Sequence, residues 1–202
     1  MNTAATPSSA GTRLPLRRWR TLDIVVAAMI GVAFGVVFWA WSAVWGFSAP
    51  VFEAVKPAQY LISGVWLLPA VVAPLIVRKP GAALFAELVA AAVSALLGSV
   101  WGLDVLLSGF VQGAGAELVF AFGLYAAWGR TTALLAGAGA AVGEALHDLP
   151  VYYPSDQFSL LFQLALVAAM LISGIVIAGL GGWSLVRALR SAGVLEAFPS
   201  ET

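Results

Sequence analysis

The chain has 202 residues, of which 61% are hydrophobic and only 10% charged. Its mean hydropathy is +0.97. A soluble domain carries about 25% charged residues, so this composition is that of an integral membrane protein. The formal net charge of zero leaves no basic surface for nucleic acid. The absence of cysteine excludes disulfides and thiolate chemistry, and a single histidine argues against a multi-histidine metal site.

Residues 1–22 are rich in Thr, Ser and Ala and carry Arg13, Arg17, Arg18 and Arg20. They read as a disordered basic tail that anchors topology on the cytoplasmic side. No cleavable signal peptide is expected, because the first apolar run is longer than a signal core. Six apolar segments follow, at 23–45, 59–77, 81–98, 105–128, 131–148 and 158–186. All read as helices, since lipid tolerates only helices or closed barrels and strand alternation is missing. The expected fold is therefore all-α, a membrane bundle of six transmembrane helices over 23–190, with a cytoplasmic tail at 191–202. With both termini cytoplasmic, every Lys and Arg except Lys56 falls on the inner side.

Two outer loops are expected to be long. The stretch 46–58 holds Pro50 and Pro57, and 149–157 holds Pro150, Tyr152, Tyr153 and Pro154. Such loops suit a lid over an outward-facing pocket, and equally an aromatic interface belt.

The segment 105–128 organises the site. It holds Gln112 and Glu117 among Gly109, Gly113 and Gly115. A carboxylate at that depth costs several kcal/mol unless it faces protein, ligand or water. At about 1.5 Å rise per residue, Gln112 lies roughly 10 Å and Glu117 roughly 18 Å below the outer surface. Glu144 lies about 6 Å and Gln163 about 8 Å from the outer ends of their helices, and Glu87 about 9 Å from an inner end. His147 and Asp148 share a face with Glu144. Trp39 and Trp66 lie deep enough to face a pocket, whereas Trp45 and Trp101 suit the interface. Carboxylates beside indole faces fit a small aromatic ring bearing amines or positive charge. The expected binding set is Trp39, Trp66, Glu87, Gln112, Glu117, Glu144, His147, Tyr153 and Gln163. Each buried acid has a competing reading as a hydrogen-bonded packing residue.

In the first helix Ala27, Gly31 and Gly35 recur every four residues. This flat stripe suits either docking of another membrane subunit or packing within the bundle. No phosphate loop, HExxH or GxSxG motif is present, so the chain itself is not expected to hydrolyse ATP. No cofactor and no metal are called for.

The runs GVWLLPAVVAPLIVRKPGAALFAELVAAAVSALLGS at 64–99, LLSGFVQGAGAELVFAF at 106–122 and DIVVAAMIGVAFGVVFWAW at 23–41 resemble the YkoE family. These are substrate-binding S components of energy-coupling factor (ECF) transporters in the bacterial plasma membrane. The resemblance implies six helices that bind a vitamin or precursor, here thiamine or hydroxymethylpyrimidine, in the outer half. It implies partnership with a transmembrane T component and a pair of ABC ATPases, and closure of the pocket by the first outer loop. It also implies that a small-residue motif on the first helix touches the T component, a pattern that Ala27, Gly31 and Gly35 match. A carrier for a different vitamin-like solute, or an intramembrane enzyme using Glu144, His147 and Asp148, are the other classes the residues allow.

Overall fold

The computed structural model describes residues 18–198; Arg13, Arg17, most of the expected N-terminal tail and the last four residues of the expected C-terminal tail lie outside the described residues. Among the described residues there is helix and no strand. The elements run α1 (Thr21–Ser48), a 3-10 stretch (Ala49–Val55), α2 (Lys56–Gln59), a second 3-10 stretch (Tyr60–Leu67) and α3 (Leu68–Val77). Then come α4 (Ala82–Leu96), α5 (Asp104–Phe122), α6 (Arg130–Tyr152) and α7 (Leu160–Ser173). A π-helical stretch (Gly174–Gly181) joins α7 to α8 (Gly182–Ser191). Three continuous helical stretches are long and apolar enough to cross a membrane: Thr21–Val77, Asp104–Phe122 and Leu160–Ser191. Ala82–Leu96 is a shorter apolar helix.

The bundle is apolar on its outside as well as within. Met29, Leu118 and Leu161 are more than half exposed, as a lipid-facing surface requires. The stretch 46–58, expected as a loop, is largely helical. Pro50 and Pro57 fall in first turns, where the missing N–H costs no hydrogen bond. The chain then folds back along α1, and the indole N–H of Trp41 donates to the Ile62 carbonyl at 3.0 Å.

Apart from Lys56, the described basic residues gather at one end. Arg20 and Lys79 both reach the buried Asp23 carboxylate, at 2.7 and 3.6 Å. The Trp19 indole donates to Pro80 O, and Arg190 donates to Leu75 O. Arg130 and Arg187 both lie over the Trp183 ring.

Two expectations about position change here. The segment expected over 105–128 ends as a helix at Phe122, because Leu124 and Tyr125 adopt left-handed backbone at φ 51° and 52°. A helix cannot continue through such residues. Glu117 therefore sits little more than one turn from the basic end, not near the midplane. Its Oε1 accepts from Gly81 N at 2.6 Å and from the Tyr125 hydroxyl at 2.8 Å, and its Oε2 accepts from Ala83 N at 3.0 Å. Glu117 thus caps the start of α4, where unpaired N–H groups and the helix dipole favour an acid. It also ties down the strained turn that follows α5.

The stripe Ala27–Gly31–Gly35 is buried beneath α4. A Cβ added at Gly31 would lie 2.6 Å from Val89 Cβ, and one at Gly35 would lie 2.5 Å from Val93 Cβ. At these residues the stripe packs against this bundle's own helix. Gly115 and Gly139 play the same part between α5 and α6, where an added Cβ on either would meet the other's carbonyl oxygen.

Gly31→Leu should therefore lower stability by about 1–3 kcal/mol or prevent folding, whereas Gly46→Leu, with nothing within 4 Å of its Cβ position, should be neutral. Thermal unfolding in detergent reads both. Glu117→Gln turns one acceptor into a donor facing a backbone N–H and should cost about 1–3 kcal/mol. Its ligand affinity, measured by calorimetry on folded protein, should stay at the wild-type value.

Candidate functional site

At the end opposite the arginines the helices part around a cavity of about 230 Å³. That is at the small side of ligand pockets, which span roughly 300–1,000 Å³. Each wall is one face of a helix. From α1 come Phe38, Ser42 and Trp45, spaced by four and three residues, as one face of a helix requires. The second 3-10 stretch supplies Tyr60 and Trp66, and α4 supplies Ala91 and Ser94. Trp101 precedes α5, which adds Asp104, Val105, Ser108, Gly109 and Gln112. From α6 come Glu144, His147, Asp148 and Tyr152, with Tyr153 just beyond its end.

The aromatic groups form a connected wall. Trp45 meets Tyr60 at 5.1 Å and Trp66 at 5.2 Å between ring centroids, and Trp66 meets Trp101 at 5.3 Å, edge to face. Tyr60 in turn packs edge-on against Tyr153 at 5.9 Å. These contacts hold flat faces ready for a ring at little entropic cost.

The polar groups form a second, linked layer. The Tyr60 hydroxyl donates to Asp148 Oδ2 at 3.0 Å. The other Asp148 oxygen lies 2.8 Å from His147 Nδ1, and His147 Nε2 lies 3.2 Å from Asp104 Oδ1. The Tyr152 hydroxyl donates to Asp104 Oδ2. His147 thus bridges α6 to the first turn of α5, where Asp104 also complements the helix dipole. Deeper in, Glu144 is buried, and its Oε2 lies 3.1 Å from Ser63 Oγ, which donates to the Tyr60 carbonyl at 2.9 Å. Gln112 Nε2 donates to Ser108 Oγ at 2.9 Å, leaving its amide oxygen available as an acceptor. Acid groups outnumber the one imidazole, so the cavity is suited to amines and cations. Among the described residues no group of three or more His, Cys, Asp or Glu side chains is arranged to hold a metal ion.

Of the residues expected at the site, Trp66, Gln112, Glu144, His147 and Tyr153 line this cavity. Gln163 stands behind it, its amide donating to the Tyr153 carbonyl at 2.7 Å. Trp39 is one residue round the helix from Phe38, so it points away from the cavity and is 48% exposed. Glu87 lies one turn below Ala91, fully buried, its Oε2 accepting from Ala70 N at 3.0 Å. It caps the start of α3, where the chain passes from 3-10 to α-helix. Glu117 is at the far end, as described above.

Trp45, Tyr60, Trp101 and Asp104 also line the cavity, where none of them was expected. Trp45 carried a signal, because it continues the face of Phe38 and Ser42. Tyr60 and Asp104 carried none, since both sat beyond the expected segment ends or at their margins.

The family described as "ABC-type cobalt transport system, permease component" matches residues 22–143. A protein of Bacillus subtilis (strain 168), named as a candidate HMP/thiamine permease, YkoE, is 35% identical over 186 residues, covering 90% of this chain and 89% of that one. A solved structure, the crystal structure of an S component of an ECF transporter, superposes with a TM-score of 0.83 at 35% identity, covering 89% of this chain and 90% of the other. On this likeness over nine-tenths of both chains, the protein belongs to the YkoE family of ECF-transporter S components, multi-pass transport proteins of the cell membrane.

Proposed function

We propose that this S component captures thiamine or its hydroxymethylpyrimidine precursor from outside the cell. A T component and ABC ATPases would then drive uptake by ATP hydrolysis. The observation that carries the ligand class is the pairing of indole and phenol faces with Asp104, Glu144 and Asp148 in one small cavity. Stacked rings hold an aromatic heterocycle, and buried carboxyl groups accept from an exocyclic amine or balance a cation. The name of the Bacillus relative points to the same ligands. A cobalt ion, which the matched family description suggests, finds few of its usual nitrogen ligands in a chain with one histidine.

In this reading Glu144, Asp148 and Gln112 bind the amino-pyrimidine edge. Trp45, Trp66 and Tyr60 stack on or beside the ring. His147 orients Asp104 and Asp148, and Gln163 fixes Tyr153 at the rim. Glu87 supports the floor from below. We infer six spans: α1, the second 3-10 stretch with α3, α4, α5, α6, and α7 through α8. The basic end then faces the cytoplasm, which puts both termini inside and opens the cavity outward. Lys56, the cation left on the outer side, donates to Gln59 Oε1 at 2.5 Å and lies over Trp45.

Calorimetry on the purified protein tests the ligand. Thiamine or hydroxymethylpyrimidine should bind, and a pyrimidine with a carbonyl in place of the amine should bind at least about tenfold more weakly, the cost of one lost buried hydrogen bond. Glu144→Gln and Trp66→Ala should each weaken binding by about tenfold or more. Wild-type affinity in both variants would remove this cavity from the capture site.

A further inference from the structure

The buried hydroxyl of Ser173, on α7 and outside the cavity, makes two bonds to the stretch Tyr60–Leu67. It accepts from Gly64 N at 2.8 Å and donates to Leu61 O at 2.8 Å. Leu61 and Gly64 are three apart, the spacing of a 3-10 turn's own hydrogen-bond partners. One side chain from another helix therefore bridges the two ends of a single turn. Insertion of a side chain into a helix ladder is a recognised cause of local distortion.

The contact is backbone to backbone in its closeness: a Cβ on Gly64 would lie 2.4 Å from Ser173 O. Immediately after Ser173, the helix changes to the π-form Gly174–Gly181. Both partners depart from α-helix where they meet. The stretch held in this way carries Tyr60 and Trp66, which line the cavity, and Ser63, which contacts Glu144.

We propose that Ser173 is a positioning residue for ligand capture, its hydroxyl fixing the 3-10 geometry that aims Tyr60, Ser63 and Trp66 into the cavity. The capture step itself rests on the function proposed above. Ser173 touches no ligand; it sets the angle of groups that do. Without the hydroxyl, Leu61 O and Gly64 N lose a shared partner, and the stretch relaxes toward a regular helix. A shift of one residue's rotation would turn Trp66 out of the wall.

The test compares Ser173→Ala, Ser173→Thr and Ser191→Ala in the full chain. Ser191 is a control, since its hydroxyl bonds only Ala188 O at an exposed site. The readouts are thiamine and hydroxymethylpyrimidine affinity by calorimetry and amide hydrogen exchange by segment. Ser173→Ala should weaken binding about tenfold and speed exchange in 60–67 more than in α4, α5 or α6. Ser173→Thr, which keeps the hydroxyl, should recover most of the affinity, and Ser191→Ala should match wild type. Unchanged affinity in Ser173→Ala, or faster exchange spread evenly over the bundle, would overturn the proposal. If the wild type bound neither compound, the proposed ligand would fall, and the exchange pattern of Ser173→Ala alone would decide whether Ser173 sets this stretch.

Discussion

The structure depends on one constraint: within lipid, every backbone polar group must find its partner inside the protein. An unbroken helix meets it alone. This bundle breaks its helices at several points, and at three of them a polar side chain supplies a partner. Glu87 takes the Ala70 N–H where α3 begins. Glu117 takes the N–H groups of Gly81 and Ala83 where α4 begins. Ser173 takes Gly64 N and gives to Leu61 O within the 3-10 stretch. The polar inventory of so apolar a chain is small, and much of it is used up in this way.

That use sorts five of the acids into two groups. Glu87 and Glu117 are committed to helix starts, where backbone donors and the dipole hold them. Asp104, Glu144 and Asp148 face one cavity and bond chiefly to hydroxyls and to His147, partners that can turn or exchange. The chemistry available to a ligand lies in the second group. Apart from Lys56, which lies over Trp45, the described basic residues gather at the opposite end, so the molecule is polarised along its length, with most cations at one end and an acidic, aromatic-lined chamber at the other.

The close packing of the small residues serves the same arrangement. Gly31 and Gly35 bring α1 onto α4, and Gly115 and Gly139 bring α5 onto α6. Helices this close at their crossings can still diverge toward one end, and the cavity occupies the divergence. Aromatic side chains of α1 and the 3-10 stretch fill its sides, and Gly109 allows α5 to approach Ala91 at its floor.

Composition and hydropathy alone determined that the chain is a helical membrane protein, because charge density and the length of apolar runs are sums over residues that need no partner. Periodicity brought Glu144 and His147 onto one face, and depth placed Gln112 and Trp66 toward one end of their helices; all four line the cavity. Other features depended on tertiary contacts. The residue that ends α5, and so the depth of Glu117, is set by left-handed backbone at Leu124 and Tyr125, which the Tyr125 hydroxyl bonds across to Glu117. The face of α1 that is covered is decided by which helix lies against it, and a stripe of small residues looks the same whether its neighbour belongs to this chain or another. Trp39 and Trp45 lie six residues apart on different faces of α1, and the position of α4 and the second 3-10 stretch decides which of those faces turns to the chamber.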